Sequence, residues 1–289
     1  MTDAFGSLLS ALDITDSGAR TNEDIFVGPS EWTPQGRVFG GQVLAQSLVA
    51  ASRTLDDSRA AHSMHGYFLR PGDIAQPITF SVDRIHDGRS FSTRRTQAYQ
   101  NGLPILSMIA SFQTSDPGLD HQVQMPEGVP DPESLPTTAD IIGHLDHPVA
   151  RSWAFERPFD IRHVTQPVYL RSDESGAAQQ AVWIRCISRL PDDPVLHRAA
   201  LAYASDYSIL ESVFRRHGLN WLTPGVRVAS LDHAMWWHRP GRADEWVLYT
   251  QESPSATGGR GLAMGRMFSR DGQLLASVAQ EGTIRVPGL

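Results

Sequence analysis

The chain of 289 residues contains no lysine: all 25 basic residues are arginine, set against 32 acidic ones for a net charge of −7. A chain so balanced lacks the broad basic face that nucleic acids require, so no nucleic-acid partner is expected. A local arginine pocket for a phosphorylated ligand stays open, because the planar guanidinium suits anions. Codon usage in a GC-rich genome is the simpler account of the composition. There is one cysteine, Cys186, in an apolar strand-like run, which excludes an internal disulfide and a cysteine-based metal site and reads as a buried structural thiol. No apolar run approaches the roughly 18 residues of a membrane span. The amino-terminal stretch MTDAFGSLLSALDITDSGAR has no basic leader region, and the terminal VPGL is not a peroxisomal tripeptide, so a cytoplasmic protein is expected. Phosphate loops, dinucleotide fingerprints and the G-x-S-x-G elbow of α/β hydrolases are all missing.

What the chain does have is a repeat. Arg70-Pro71-Gly72 returns 169 residues later as Arg239-Pro240-Gly241. Asn101-Gly102 returns 170 residues later as Asp271-Gly272, and Gly88 is matched by Gly258 at the same offset. Three turn markers kept in step imply two copies of one structural unit. The expected division is an amino-terminal unit at 1–114, a connection at 115–150 and a carboxyl-terminal unit at 151–289. The connection holds six prolines and little periodicity, which reads as a linker with a short helix near 137–145.

Each copy shows one helix followed by strands. Helical spacing of apolar residues runs over 40–55 in the first copy and over 195–214 in the second. Strand-like segments follow at 62–69, 77–85 (where Ile78, Phe80 and Val82 share one face), 91–100 and 103–113, and again at 228–239, 245–253, 261–270 and 273–286. Further strands are expected at 23–27, 158–164 and 180–188. The fold class is therefore α+β and duplicated.

Few polar residues stand out. Asp206 has Ala202, Tyr203, Ile209 and Leu210 as its helical neighbours. A carboxylate in an apolar stripe is costly unless paired, so Asp206 is either a catalytic acid or base or a structural group held by a partner. Gln280 shares its strand face with Leu274, Ala276, Val278, Gly282 and Ile284 and is either functional or a bridging core amide. Ser230, Asp232 and His233 lie close in sequence, but the last two are adjacent and point to opposite strand faces, which speaks against a protease-like triad. The pairs His62/His65 and His144/His147 lack the partners of a specific metal site and read as ordinary polar or turn residues, so no metal is expected. Trp236, Trp237 and Trp246 read as core or interface.

Six segments together give a specific signature: GRVFGGQVLAQSL (36–48), HSMHGYFLRPGD (62–73), DGRSFSTRR (87–95), LAYASDYSIL (201–210), SLDHAMWWHRP (230–240) and ASVAQEGTIR (276–285). In these the chain resembles the acyl-CoA thioesterase II family, the double-hotdog thioesterases of bacteria and peroxisomes, over nearly its whole length. The resemblance implies a double hotdog, two long helices each wrapped by a curved antiparallel sheet. It implies hydrolysis of fatty acyl-CoA to fatty acid and CoA with no metal or other cofactor. By motif match it assigns the active site to Asp206, Ser230 and Gln280, with serine where some members have threonine. Asp206 would activate water or, less simply, attack the thioester itself. Ser230 and Gln280 would hold the water, and a backbone N–H or the Gln280 amide would meet the oxyanion. Arg70, Arg89, Arg94 and Arg95 are candidate contacts for CoA phosphates, chosen by chemistry rather than by motif. A homodimer or homotetramer is the expected assembly. Competing readings are a hotdog enoyl-CoA hydratase, which would want a histidine soon after Asp206, and a non-catalytic acyl-CoA-binding protein. With the repeat offsets, Ser230 maps onto Ala61 and Gln280 onto Ala110; Asp206, where the spacing is not kept, maps near Gln46 or Ser47. One active site per chain is expected.

Overall fold

The computed structural model describes residues 4–16 and 23–288. Met1–Asp3, residues 17–22 and Leu289 lie outside them, and with them parts of the amino-terminal stretch and of the VPGL end. The first half comprises α1 (Ala4–Leu12), β1 (Thr15–Asp16), β2 (Asp24–Gly28), α2 (Gly40–Ser52), β3 (Arg59–Phe68), β4 (Ile78–Asp87), β5 (Phe91–Gln100) and β6 (Leu103–Thr114). A connection follows with a short 3-10 turn (Pro132–Ser134), α3 (Thr138–Ile142) and α4 (Pro148–Phe155). The second half comprises β7 (Phe159–His163), β8 (Gln179–Cys186), α5 (Pro194–Ser205), α6 (Glu211–Arg216), β9 (Arg227–Ser230), β10 (Asp232–Trp237), β11 (Val247–Thr257), β12 (Arg260–Ser269) and β13 (Leu274–Arg285).

Among the described residues, all thirteen strands belong to one antiparallel sheet in the order β1-β2-β4-β5-β6-β3-β10-β13-β12-β11-β8-β7, with β9 added beside β13. The order is mirrored about the β3·β10 pair, where His233 lies opposite Gly66 and Met235 opposite Met64. The repeat markers occupy matching places: Asn101-Gly102 turns β5 into β6 and Gly272 turns β12 into β13, each glycine with positive φ. Gly88 and Gly258 sit in the β4–β5 and β11–β12 turns. The two copies of Arg-Pro-Gly follow β3 and β10.

Helices α2 and α5 are sheathed by this sheet, the hotdog arrangement in duplicate. Every residue of α2 from Gly41 to Ala51 is buried, since the sheet closes on one side and α5 on the other. Small residues permit the close contact. A Cβ on Gly41 would lie 2.3 Å from the Tyr203 carbonyl oxygen of α5, so only glycine fits there.

Three expectations need correcting. The helix anticipated over 195–214 is two helices, because α5 stops at Ser205 with Asp206 as its C-cap and the chain turns before α6 begins at Glu211. Asp206 is therefore a helix-end residue, not a mid-helix one. Its positional counterpart is Arg53, the C-cap of α2, rather than Gln46 or Ser47. The strand anticipated over 228–239 is likewise two, β9 and β10, interrupted at Leu231. The same irregularity occurs at His62, between Ala61 and Ser63 of β3. Finally, the Pro-rich connection is not a loose spacer. Met125, Val129 and Leu135 pack on Trp183, Trp246, Leu248, Phe268 and Leu274, a second core on the outer sheet face. The Trp183 indole donates to the Pro130 carbonyl at 2.9 Å, and the Trp246 indole to the Glu133 carboxylate at 2.8 Å. Val182–Ile184 of β8 and Val247–Tyr249 of β11 are apolar and buried at consecutive positions because both faces are covered there.

Candidate active site

The break after α5 brings Asp206 to the amino-terminal turn of α2. Its Oδ2 accepts the Gly41 N–H at 2.9 Å. Gln280 reaches it from β13, donating Nε2–H to Asp206 Oδ1 at 2.9 Å and to Ser230 Oγ at 2.8 Å. Ser230 Oγ stands 3.4 Å from Asp206 Oδ1, a long contact that leaves its hydroxyl free to turn elsewhere. Three elements far apart in sequence thus converge on one carboxylate.

The irregularity at Leu231 makes this possible. Ser230 and His233 are three residues apart, so a regular strand would send them to opposite faces. The register between β9, β10 and β13 shifts by one across Leu231, as expected of a bulge. Both side chains therefore reach Gln280. Asp232 closes the bulge by accepting the Glu281 N–H at 2.8 Å, which gives it a structural task outside the site.

Asp206 keeps one edge open to a cavity while protein atoms crowd its carboxyl from every other side. The loss of water dominates and raises its pKa to about 6, against the lowering effect of hydrogen bonds from Gln280, Gly41 and Ser230. The group is thus ionised at neutral pH yet basic enough to take a proton. The cavity measures about 600 Å³ and is lined by Asp206, Ser230 and Gln280 together with Phe39, Phe68 and Tyr203. That size suits a small-molecule site. A second carboxylate on its wall, Glu211, accepts the Trp221 indole at 2.8 Å, and burial lifts its pKa to about 7. Glu31, bonded by the Tyr203 hydroxyl at 2.6 Å, is raised by burial as well.

Of the candidate arginines, only Arg70 lines the cavity. Arg94 is 1% exposed, donates Nε–H to Thr54 and pairs with Asp87 at 2.7 Å, so it is a core strut and cannot meet a surface phosphate. Arg95 pairs with Asp83 at 2.7 Å, and neither it nor Arg89 borders the cavity. Sequence reasoning missed two arginines that do: Arg37, and Arg157 from the end of the connection, whose guanidinium stacks on Trp153 and Tyr207 at 4.5 and 4.6 Å. It also missed His233, 1% exposed and in contact with Gln280. The inward alternation of His233, Met235 and Trp237 could have flagged it had the bulge been anticipated. His62 meets Ser111 at 2.8 Å, His65 meets the edge of Trp236, and His147 caps α4. Among the described residues, no group of histidines, cysteines and carboxylates is arranged to hold a metal.

The duplicated position carries no such set. Ser230 pairs with Gly282 just as Ala61 pairs with Phe112, and Met64 faces Ala110 where His233 faces Gln280. A second cavity of about 400 Å³ is lined by Arg239-Pro240-Gly241 and the start of α5, and by none of Arg53, Ala61, Met64 and Ala110. It mirrors the Arg70-Pro71-Gly72 wall and α2 start of the first.

The chain matches two family models, described as acyl-CoA thioesterase N-terminal domain over residues 28–113 and acyl-CoA thioesterase over residues 152–283. It is 36% identical to acyl-CoA thioesterase 2 of Haemophilus influenzae, covering 99% of both chains. It is 39% identical to human acyl-coenzyme A thioesterase 8, over 92% of this chain and 86% of the relative. Among solved structures it resembles an acyl-CoA thioesterase II from Mycobacterium marinum, with a TM-score of 0.78 and 42% identity over 98% of each chain. A protein of unknown function with a hot dog fold from Alicyclobacillus acidocaldarius shares the fold at a TM-score of 0.77 with 19% identity.

Proposed function

The chain belongs to the acyl-CoA thioesterase family and hydrolyses acyl-CoA thioesters to a free acid and CoA; from that premise we propose that Asp206, Ser230 and Gln280 are its catalytic set. The observation that carries the assignment is their convergence: one desolvated carboxylate, one hydroxyl and one amide, from three elements, around a single opening.

In the proposed reaction a water held by Ser230 and Asp206 attacks the thioester carbonyl while Asp206 takes its proton. The new C–O bond pushes charge onto the carbonyl oxygen. The amino-terminal turn of α2 offers that oxyanion the positive end of the helix dipole, its Gly41 N–H being engaged by Asp206. Collapse breaks the C–S bond, and Asp206 returns the proton to the departing sulfur, leaving acid, thiol and the original carboxylate. Arg37, Arg70 and Arg157 on the cavity wall are the proposed contacts for CoA phosphates, replacing Arg89, Arg94 and Arg95 in that role.

The reading extends to fatty acyl substrates, to the units 1–114 and 151–289 joined by 115–150, and to a cytoplasmic setting, which the single buried thiol of Cys186 suits. Tyr67, Ile109, Trp236 and Met264, exposed on the outer sheet face, support a homodimer or homotetramer. No helix among the described residues is long and apolar enough to cross a membrane.

Thiol release from short, medium and long acyl-CoAs tests the catalytic set. The parent chain should turn over at least one class, and Asp206→Asn and Gln280→Ala should each lower kcat by about 100-fold or more while remaining folded. Full turnover in both variants rejects the assignment.

A further inference from the structure

The Gln280 amide is useful only one way round. With Nε2 toward Asp206 and Ser230 it donates to both, whereas a flipped amide would set a carbonyl oxygen against a carboxylate. Asp206 and Ser230 favour that choice at Nε2, and a donor to Oε1 on the other side completes it. The neighbour of Oε1 is His233 Nδ1. An amide oxygen only accepts, so Nδ1 must carry a proton. His233 is fully enclosed, and desolvation lowers its pKa to about 4, so the ring is neutral at working pH and has a single N–H. Its other nitrogen, Nε2, is then an acceptor, and it lies 2.9 Å from Ser205 Oγ. The Ser205 hydroxyl also lies 2.8 Å from the Ala202 carbonyl, but it has one hydrogen to give. The Ser205 backbone is itself anchored, its carbonyl accepting the Tyr249 hydroxyl at 3.0 Å. Directions therefore run one way from Ser205 O–H to His233 Nε2, from His233 Nδ1–H to Gln280 Oε1, and from Gln280 Nε2–H to Asp206 and Ser230.

We infer that Ser205 and His233 are positioning residues: Ser205 holds His233 as its Nδ1–H tautomer, and His233 thereby locks the orientation of the Gln280 amide. This rests on the catalytic reading above. Neither residue touches the cavity, so both act through Gln280.

Isosteric substitutions separate this role from packing. The amide nitrogen of asparagine occupies the place of Nδ1, and that of glutamine the place of Nε2. His233→Asn should keep much of the parent kcat. His233→Gln and His233→Leu should lose about 10- to 100-fold in kcat with KM little changed, the size expected when the outer partner of a functional group is removed. Nitrogen-15 NMR of the imidazoles should find Nδ1–H in the parent and a shift toward Nε2–H in Ser205→Ala. The inference is overturned by parent-like kcat in folded His233→Leu, by equal losses in the Asn and Gln variants, or by an Nε2–H tautomer in the parent. Gln280→Ala in the same assay separates the two readings. Its full activity would sink the catalytic set, whereas an inactive Gln280→Ala beside an active His233→Leu would sink only the positioning role.

Discussion

Asp206 is where stability and chemistry oppose each other. Its carboxyl titrates near pH 6 when folded, against 3.8 for an unperturbed group. The folded chain therefore holds the proton more tightly than the unfolded chain does. The stabilisation this gives is complete below about pH 4 and is lost as pH rises through 6, a span worth about 3 kcal/mol. Urea titrations should thus show the parent losing about that much relative to Asp206→Asn between pH 4 and pH 7. No relative loss would mean the carboxyl is not desolvated. The same titration governs rate: kcat should climb through about pH 6 and level off above it, because only the ionised form accepts the proton from water. Gly40 carries a further residue-scale expectation. A Cβ there would stand 2.7 Å from Asp206 Oδ2 and 3.0 Å from the Phe68 ring. Gly40→Ala should displace the carboxylate and cut kcat by about tenfold or more, consistent with the sensitivity of catalysis to small misplacement. Parent-like kcat in that variant would show that the first turn of α2 need not sit so close.

At the scale of elements, the regular pieces were legible and the interruptions were not. β5 was readable to the residue, because Phe91–Gln100 runs between the turn markers at Gly88 and Asn101-Gly102. The helix at 195–214 was misread because the apolar stripe continues through Ile209 and Leu210 while the backbone does not. Nothing in Asp206-Tyr207-Ser208 announces a stop, since no glycine or proline marks it. The bulge at Leu231 is equally silent, as it is fixed by pairing with β13 rather than by local chemistry. The three candidates named by motif are brought together in the structure, while the geometry that joins them depends on two breaks invisible to periodicity. The connection was underread for another reason: its apolar residues are few and face strands distant in sequence. Trp246 anchors it through Glu133 and stacks under Arg185 at 4.3 Å. Trp246→Ala should cost about 3–5 kcal/mol in urea unfolding, the usual range for a buried aromatic. Since it borders the second cavity and not the first, kcat should stay within about twofold. A collapse of kcat at retained folding would tie the connection to catalysis.

For the molecule as a whole, one polar set against two scaffolds predicts a stoichiometry. A thioether analogue of acyl-CoA, followed by calorimetry, should titrate to one site per chain. Two equivalent sites would mean that the cavity beside Arg239-Pro240-Gly241 also binds substrate. The seam where β3 meets β10 gives that asymmetry its significance. Were the two units separate identical chains meeting at that seam, each substitution would be imposed on both sides of the axis at once. Alanine at one Gln280 would be alanine at every Gln280. Because a single polypeptide crosses the seam, each side mutates alone. Ala61, Met64 and Ala110 could be selected for packing and Arg53 for holding the Ile14 carbonyl, while their opposite numbers, the proposed catalytic and positioning residues, could be selected separately. Covalent continuity has turned a symmetry constraint into a division of labour.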